Sequence, residues 1–224
     1  IPTSDVLERV YFTSPLAQTY VFTIDPDLMA GVCSRFTPGD MVYLPDRLAE
    51  LPTMGALSSG MEIDREALVA HDVQLVFSIS GAPLTEANRS DAEKLQDQTG
   101  IPVVLVDGSF DVTGDAYRKV GDILGRAERA EELASYLEGI LADVRAGVAG
   151  VTDDERVSLY YAEGPLGLQT EPSGGQHALV FDEVRARNVA DVSESLDIDL
   201  GMSNVSMEQI LAWDPEVIIA WDDD

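Results

Sequence analysis

Apolar positions along the chain switch between a strand-like and a helix-like period. Val10-Tyr11-Phe12 is a short apolar run between Glu8-Arg9 and Thr13-Ser14-Pro15. It predicts a buried strand that feeds a loop, with a helix over Leu16 to Thr23. Met29 to Cys33 predicts a second strand, and the stretch from Thr37 to Gly60, rich in Pro, Gly and Ser, predicts a long irregular connection. Next come a short helix with an acidic start at Asp64 to Val69 and a nearly continuous apolar strand from Gln74 to Ile79 that ends in Ser80-Gly81-Ala82-Pro83. A polar helix over Thr85 to Thr99, with Ala92 and Leu95 inward, closes at Gly100 before the strand Val103 to Val106. Strands alternating with helices in this way build a parallel sheet.

From Asp115 to Gly150 the period lengthens. Leu133, Leu137, Ile140, Leu141, Val144 and Val148 recur at the spacing of one helical face, and Gly125 separates a shorter helix from a long one. Strand pattern resumes at Val157 to Tyr161, followed by a Gly- and Pro-rich loop, a helix over Ala178 to Arg185 and a last strand from Val217 to Trp221. The chain therefore reads as α/β: two Rossmann-like βα lobes, 1–115 and 151–224, joined by a long connecting helix within a spine at 116–150.

Composition narrows the partners. The 224 residues carry 41 Asp and Glu against 14 Lys and Arg, a formal net charge of -27. A field of that sign repels phosphate backbones and anionic headgroups, so nucleic acid and membrane surfaces are not expected partners. No stretch approaches the roughly 18 uninterrupted apolar residues of a membrane span. Cys33 is the single cysteine and the histidines are His71 and His177, far apart in sequence. These exclude an intrachain disulfide and a cysteine cluster, and no resident metal site or dedicated zinc or manganese carrier is expected. Asp107, Asp111 and Asp115 recur every four residues but do not form a calcium loop. The glycine-rich nucleotide loops and the G-x-S-x-G elbow are absent, so no catalytic residue is assigned and the chain is not expected to be an enzyme.

Several motifs then follow one another in a telling order. They are Phe12-Thr13-Ser14-Pro15 after the first strand, Leu51-Pro52-Thr53-Met54-Gly55, Glu66 to Val76, and Gly100-Ile101-Pro102-Val103-Val104-Leu105-Val106-Asp107. After these come Val120-Gly121-Asp122-Ile123-Leu124-Gly125-Arg126 running into Ala127 to Leu133, and finally Val205 to Ile219. In this order the chain resembles the class III periplasmic substrate-binding proteins that serve importers of cobalamin, haem and ferric siderophores. The resemblance runs over nearly the whole chain. His71-Asp72-Val73-Gln74 replaces the family's Lys-Pro-Asp turn, and the family carries a further strand and helices after the position of Trp221, so the second lobe is expected to be incomplete at its C-terminus.

The resemblance implies a capture protein that binds ligand in a cleft between two lobes, at loops leaving the carboxyl ends of the strands, where open α/β sheets generally bind. The expected ligand-contacting residues are Ser14, Pro15, Gln18, Ser80, Gly81, Tyr161, His177, Asn204 and Trp221. Trp221 offers a flat ring to a corrin, porphyrin or catecholate. Tyr160 and Tyr161 point to opposite faces of their strand, and Tyr161, nearer the loop, is the candidate. His177 follows the flexible Ser173-Gly174-Gly175-Gln176. Haem-binding members often carry a tyrosine after the glycine of the first-lobe motif, and here Ala56 follows Gly55. Arg35 and Arg89 are the nearest cations for an anionic ligand.

The ligand is thus expected to be a small-molecule chelate that itself contains iron or cobalt, with no separate cofactor. The partners implied are an ABC permease and its ATPase, docked through Glu86 in the first lobe, with Asp91 and Glu93 nearby, and through Asp222-Asp223-Asp224 in the second. The resemblance also implies an extracytoplasmic monomer, in the periplasm or at the cell surface, held to a membrane only by a lipid anchor outside this chain. Two alternatives remain: an enzyme subunit or metal chelatase of similar architecture, and a surface protein without a transport role.

Overall fold

The computed structural model describes residues 2–57, 61–190 and 202–221, and the backbone of 198–199. The chain divides into two compact units, Ile1–Leu137 and Glu138–Asp224. In chain order the first contains β1 (Val10–Phe12), α1 (Pro15–Ile24), α2 (Arg65–Ala70), β2 (Leu75–Ser80), α3 (Glu86–Thr99), β3 (Val103–Asp107) and α4 (Thr113–Leu124). The unit boundary falls within α5 (Ala127–Val148). The second unit continues with β4 (Ser158–Ala162), β5 (Gln169–Thr170), α6 (Leu179–Glu183), β6 (Arg187–Asn188), β7 (Ile198–Asp199), β8 (Met202–Asn204), α7 (Met207–Trp213) and β9 (Val217–Ala220). Among the described residues no helix is long and apolar enough to cross a membrane.

In the first unit β1, β2 and β3 form a parallel sheet in that order. Val10, Tyr11, Phe12, Leu75, Val76 and Phe77 are all completely buried. Continuous burial along β1 and the start of β2 explains why their sequences read as unbroken apolar runs, because helices cover both faces of a parallel sheet. Helix ends follow their sequence signals. The Ser14 side chain accepts the N–H of Ala17 ahead of Pro15, Thr85 and Asn88 form a reciprocal capping box, and Gly100 ends α3 in the left-handed region at φ 72°. Gly125 ends α4 in the same conformation. At the α4–α5 contact, a Cβ on Gly121 would lie 2.1 Å from that of Ala130, so only glycine allows the two helices to approach this closely.

Two local features differ from the periodic pattern. Met29 to Cys33 does not form a strand. Met29 and Val32 make isolated bridges to Val10 and Thr53, and the space a Gly31 side chain would need is occupied by the Pro52 carbonyl at 2.7 Å and by Met54. The segment pairs parallel with its neighbours only at single residues and packs closely on Pro52 and Met54, so no continuous strand forms. In the turn that replaces Lys-Pro-Asp, Asp72 adopts φ 53°, a left-handed conformation that aspartate tolerates better than most residues, and β2 begins intact beyond it.

In the second unit β6, β4 and β9 form a parallel sheet in that order, and β5, β8 and β7 form a small antiparallel one. Leu159 packs with Ala178, Phe181, Ala186 and Tyr161, whereas Tyr160 and Ala162 pack with Ile210, Leu168 and Trp213. The period of two along β4 thus separates two small cores. Edge strand β9 leaves Val217, Ile218 and Ile219 exposed. Arg145 of α5 grips Glu183 of α6 through two bonds of 2.6 and 2.7 Å. That pairing holds the Glu183 carboxyl below its ordinary value. The expected helix over Ala178 to Arg185 is shorter than its pattern, ending before Arg185, which turns to φ 54°.

Candidate functional site

The carboxyl ends of both parallel sheets carry loops with unusual chemistry, and each set is built within its own unit. In the first unit Thr13, Ser14, Ser78, Ser80, Asn88 and Asp91, with Leu57 and Ile79, line a cavity of about 140 Å³. The Thr13 hydroxyl donates to Ser78 at 3.2 Å, and Ser14 caps α1, its side chain accepting the Ala17 N–H and its carbonyl the Gln18 N–H. Ser14 and Ser80 are therefore brought together. Gln18 is turned inward, where its side-chain carbonyl accepts the N–H of Cys33 at 2.8 Å. The thiol of Cys33 is buried, and desolvation pushes its pKa up to about 12. Pro15 is exposed at the first turn of α1, and Gly81 is half-buried beyond β2. Arg35 lines a separate cavity of about 590 Å³ with Leu48, Pro52 and Thr53.

The second unit holds a tighter constellation. Glu163 follows the last residue of β4 and forms a two-way backbone bridge with Gln169, at 2.8 and 3.1 Å. The intervening loop is closed by turns at Gly164 and Gly167, with φ of 71° and 64°, and by the Tyr160 hydroxyl, which donates to the Gly167 carbonyl at 2.9 Å. This rigid loop presses the Glu163 side chain inward until it is 0% exposed. Neither of its carboxylate oxygens has a hydrogen-bond partner. Burial, reinforced by the nearby Glu171 and opposed by His177, raises the Glu163 carboxyl above its ordinary value.

Glu171 follows β5 and is also buried. Its Oε2 accepts the His177 backbone N–H at 3.0 Å, and its Oε1 lies 2.8 Å from His177 Nδ1. The backbone carbonyl of Glu171 accepts from Asn188 Nδ2 at 2.7 Å. Gly175 makes this wrap feasible, since a Cβ there would lie 2.5 Å from Glu171 Oε2. His177 Nδ1 is also 3.6 Å from Glu163 Oε1, and the histidine side chain is 42% exposed. Trp221, immediately after β9, donates its backbone N–H to the Ala162 carbonyl at 3.0 Å. Its ring lies 5.5 Å from the imidazole, and the residue is 46% exposed.

His177 and Trp221 are thus brought together at the carboxyl edge of β4 and β9. Tyr161 instead packs edge-on against Phe181 at 5.1 Å. Asn204 is exposed in β8, where its Oδ1 accepts from Gln169 at 3.3 Å. Glu86 opens α3 with its side chain 93% exposed and Arg89 3.9 Å away. Asp222, Asp223 and Asp224 lie outside the described residues. Of the three acidic residues with a regular spacing, Asp107 accepts from both the N–H and hydroxyl of Ser109, which lowers its pKa. Sequence reasoning missed Glu163 and Glu171 among the 41 acidic residues. The available signal was the glycine-flanked loop around each of them.

The sequence model of the periplasmic binding protein family matches residues 41–223. The chain belongs to that family. None of the curated proteins matches it in sequence. Among solved structures it is similar to an ABC transporter solute binding protein from Sulfurospirillum deleyianum, with TM-score 0.86 and 26% identity over 100% of this chain and 69% of that one. It is also similar in fold to the molybdate periplasmic binding protein MolA of Haemophilus influenzae, with TM-score 0.76 and 22% identity over 98% and 70% of the two chains. The periplasmic vitamin B12 binding protein BtuF of Vibrio cholerae gives TM-score 0.69 and 19% identity over 96% and 76%. The α/β architecture with parallel sheets in two lobes is the class III solute-binding fold. The protein is a substrate-binding component of an ABC transporter that takes a small solute, and not an enzyme.

Proposed function

We propose that this binding protein captures an iron-siderophore, haem or cobalamin-type chelate outside the cytoplasm and delivers it to an ABC permease and its ATPase. The observation that carries this reading is the exposed indole of Trp221 beside the imidazole of His177 at the carboxyl edge of β4 and β9. A flat ring at that position stacks on a planar or aromatic chelate, and an imidazole beside it reaches a chelated metal. Ser14 and Ser80, at the edge of the first sheet, add hydroxyl groups and a helix N-terminus suited to polar substituents. Glu86 supplies an exposed acidic contact for a basic pocket on the permease. The protein works as a monomer.

The test is a thermal-shift and absorbance screen against haemin, cyanocobalamin, several ferric siderophores and molybdate. A ligand held at 100 times its dissociation constant stabilises by about 2.7 kcal/mol, and a bound haem or corrin also shifts its visible bands. Stabilisation by a chelate supports the reading. A response to molybdate alone, or to none of the compounds, refutes the chelate cargo and leaves family membership untouched.

A further inference from the structure

A carboxylate that is fully buried and makes no hydrogen bond is costly to keep charged, and natural structures seldom retain one without a counter-charge. Glu163 is such a group, and a second buried carboxylate, Glu171, stands beside it. His177 is the basic side chain that faces both. One oxygen from each carboxylate and one imidazole nitrogen lie within 4.8 Å of one another. We propose that Glu163, Glu171 and His177 bind a divalent transition-metal cation at the carboxyl edge of β4.

Charge, donor type and geometry all favour this occupant. Two carboxylates balance a divalent ion, and so relieve a burial that His177 alone relieves only in part. Carboxylate oxygen combined with imidazole nitrogen suits zinc, manganese, cobalt or iron(II), whereas magnesium and calcium prefer oxygen donors alone. An ion about 2.0–2.2 Å from each donor requires donors about 3–3.5 Å apart. The Nδ1–Oε1 separations of 2.8 and 3.6 Å bracket that spacing, and all three donors lie within 4.8 Å of one another. An outer layer of contacts is already in place. Asn188 holds the Glu171 backbone, and the second Glu171 oxygen holds the His177 backbone, the kind of support that orients metal ligands. Three protein donors leave room in a four- to six-coordinate shell for a water or a ligand oxygen, and the cation places positive charge beside Trp221 in a strongly acidic chain.

This inference goes beyond the chelate reading and does not depend on it, because the cation binds the protein alone. The experiment is calorimetric titration of the chelator-stripped full chain with Zn²⁺ in millimolar Mg²⁺, which occupies ordinary surface carboxylates. The expected result is one equivalent of zinc bound at micromolar affinity or better, with Co²⁺ giving visible d–d bands at the same stoichiometry. Glu163→Gln and His177→Asn each weaken zinc by more than about 100-fold, beyond the usual loss on removing an outer-shell partner. Circular dichroism confirms that each variant is folded. Should Glu163→Gln fail to fold, His177→Asn, on an exposed loop, decides alone. Absence of stoichiometric zinc binding, or wild-type affinity in a folded His177→Asn protein, overturns the proposal.

Discussion

The carboxylate of Glu171 holds His177 twice, accepting its backbone N–H at 3.0 Å through Oε2 and lying 2.8 Å from its Nδ1 through Oε1. One buried side chain therefore sets both the path of the Pro172-to-Gln176 loop and the direction of the imidazole. Replacing Glu171 with alanine removes both interactions. The expected cost is about 1–3 kcal/mol, with faster amide exchange over residues 172–177 than in the wild type. Unchanged exchange in that loop would show that the turns at Gly174 and Gly175 suffice to hold it.

Gly55 offers a steric test in the first unit. It adopts φ 74°, and a Cβ built on it would lie 1.9 Å from the Glu62 carbonyl oxygen. Its own carbonyl accepts the buried Tyr11 hydroxyl at 2.7 Å. Backbone must move to admit any side chain, so Gly55→Ala is expected to destabilise by at least about 2 kcal/mol. Urea denaturation followed by far-UV circular dichroism measures it, and a loss below about 0.5 kcal/mol would contradict the close approach.

Glu216 joins the start of β9 to the start of β4, with its Oε2 accepting the Ser158 N–H at 2.8 Å and the Ser158 hydroxyl at 3.0 Å. Those bonds favour the charged form and lower its pKa in the folded state. A folded-state pKa below the unfolded value contributes stability that is present above the unfolded value, about 4.3, and is lost as pH falls through the folded one. Glu216→Gln is therefore expected to melt below the wild type at pH 7 and to converge with it in acid. Melting curves from pH 7 to pH 3 check this, and a gap that stays constant down to pH 3 counts against the linkage.

Glu86 is exposed at the first turn of α3, where removing its charge disturbs little of the fold. Under the docking role proposed for it, Glu86→Arg leaves ligand affinity unchanged and lowers stimulation of the reconstituted transporter's ATPase. An opposite charge facing a basic pocket costs affinity through repulsion. A reduction of about tenfold or more is expected, and full stimulation would remove Glu86 from the docking surface.

Most of the element order was legible in the chain because it depends on local physics. Val10 to Phe12 and Leu75 to Phe77 read as strands because both faces of their sheet are covered. The boundaries of α1, α3 and α4 could be read because Ser14, Thr85, Gly100 and Gly125 satisfy or terminate helices through their own side chains or their freedom of φ. Met29 to Cys33 shows where that reading stops. Its apolar residues describe burial, and here burial comes with isolated parallel bridges to Val10 and Thr53 and close packing of Gly31 on Pro52 and Met54, not with a continuous strand.

The sequence by itself determined the α/β alternation, the long helix beginning after Gly125 and the ordered motifs that resemble the binding-protein family. Only the tertiary structure decided that Glu163, Glu171 and His177 meet. No single strand or helix spans the three, and what joins them is a pair of left-handed glycine turns, a two-residue bridge and a loop folded back on a buried carboxylate. A glutamate's surroundings, unlike a helix cap, are set by residues distant in sequence. Which of the many carboxylates loses its water is therefore a property of the folded chain.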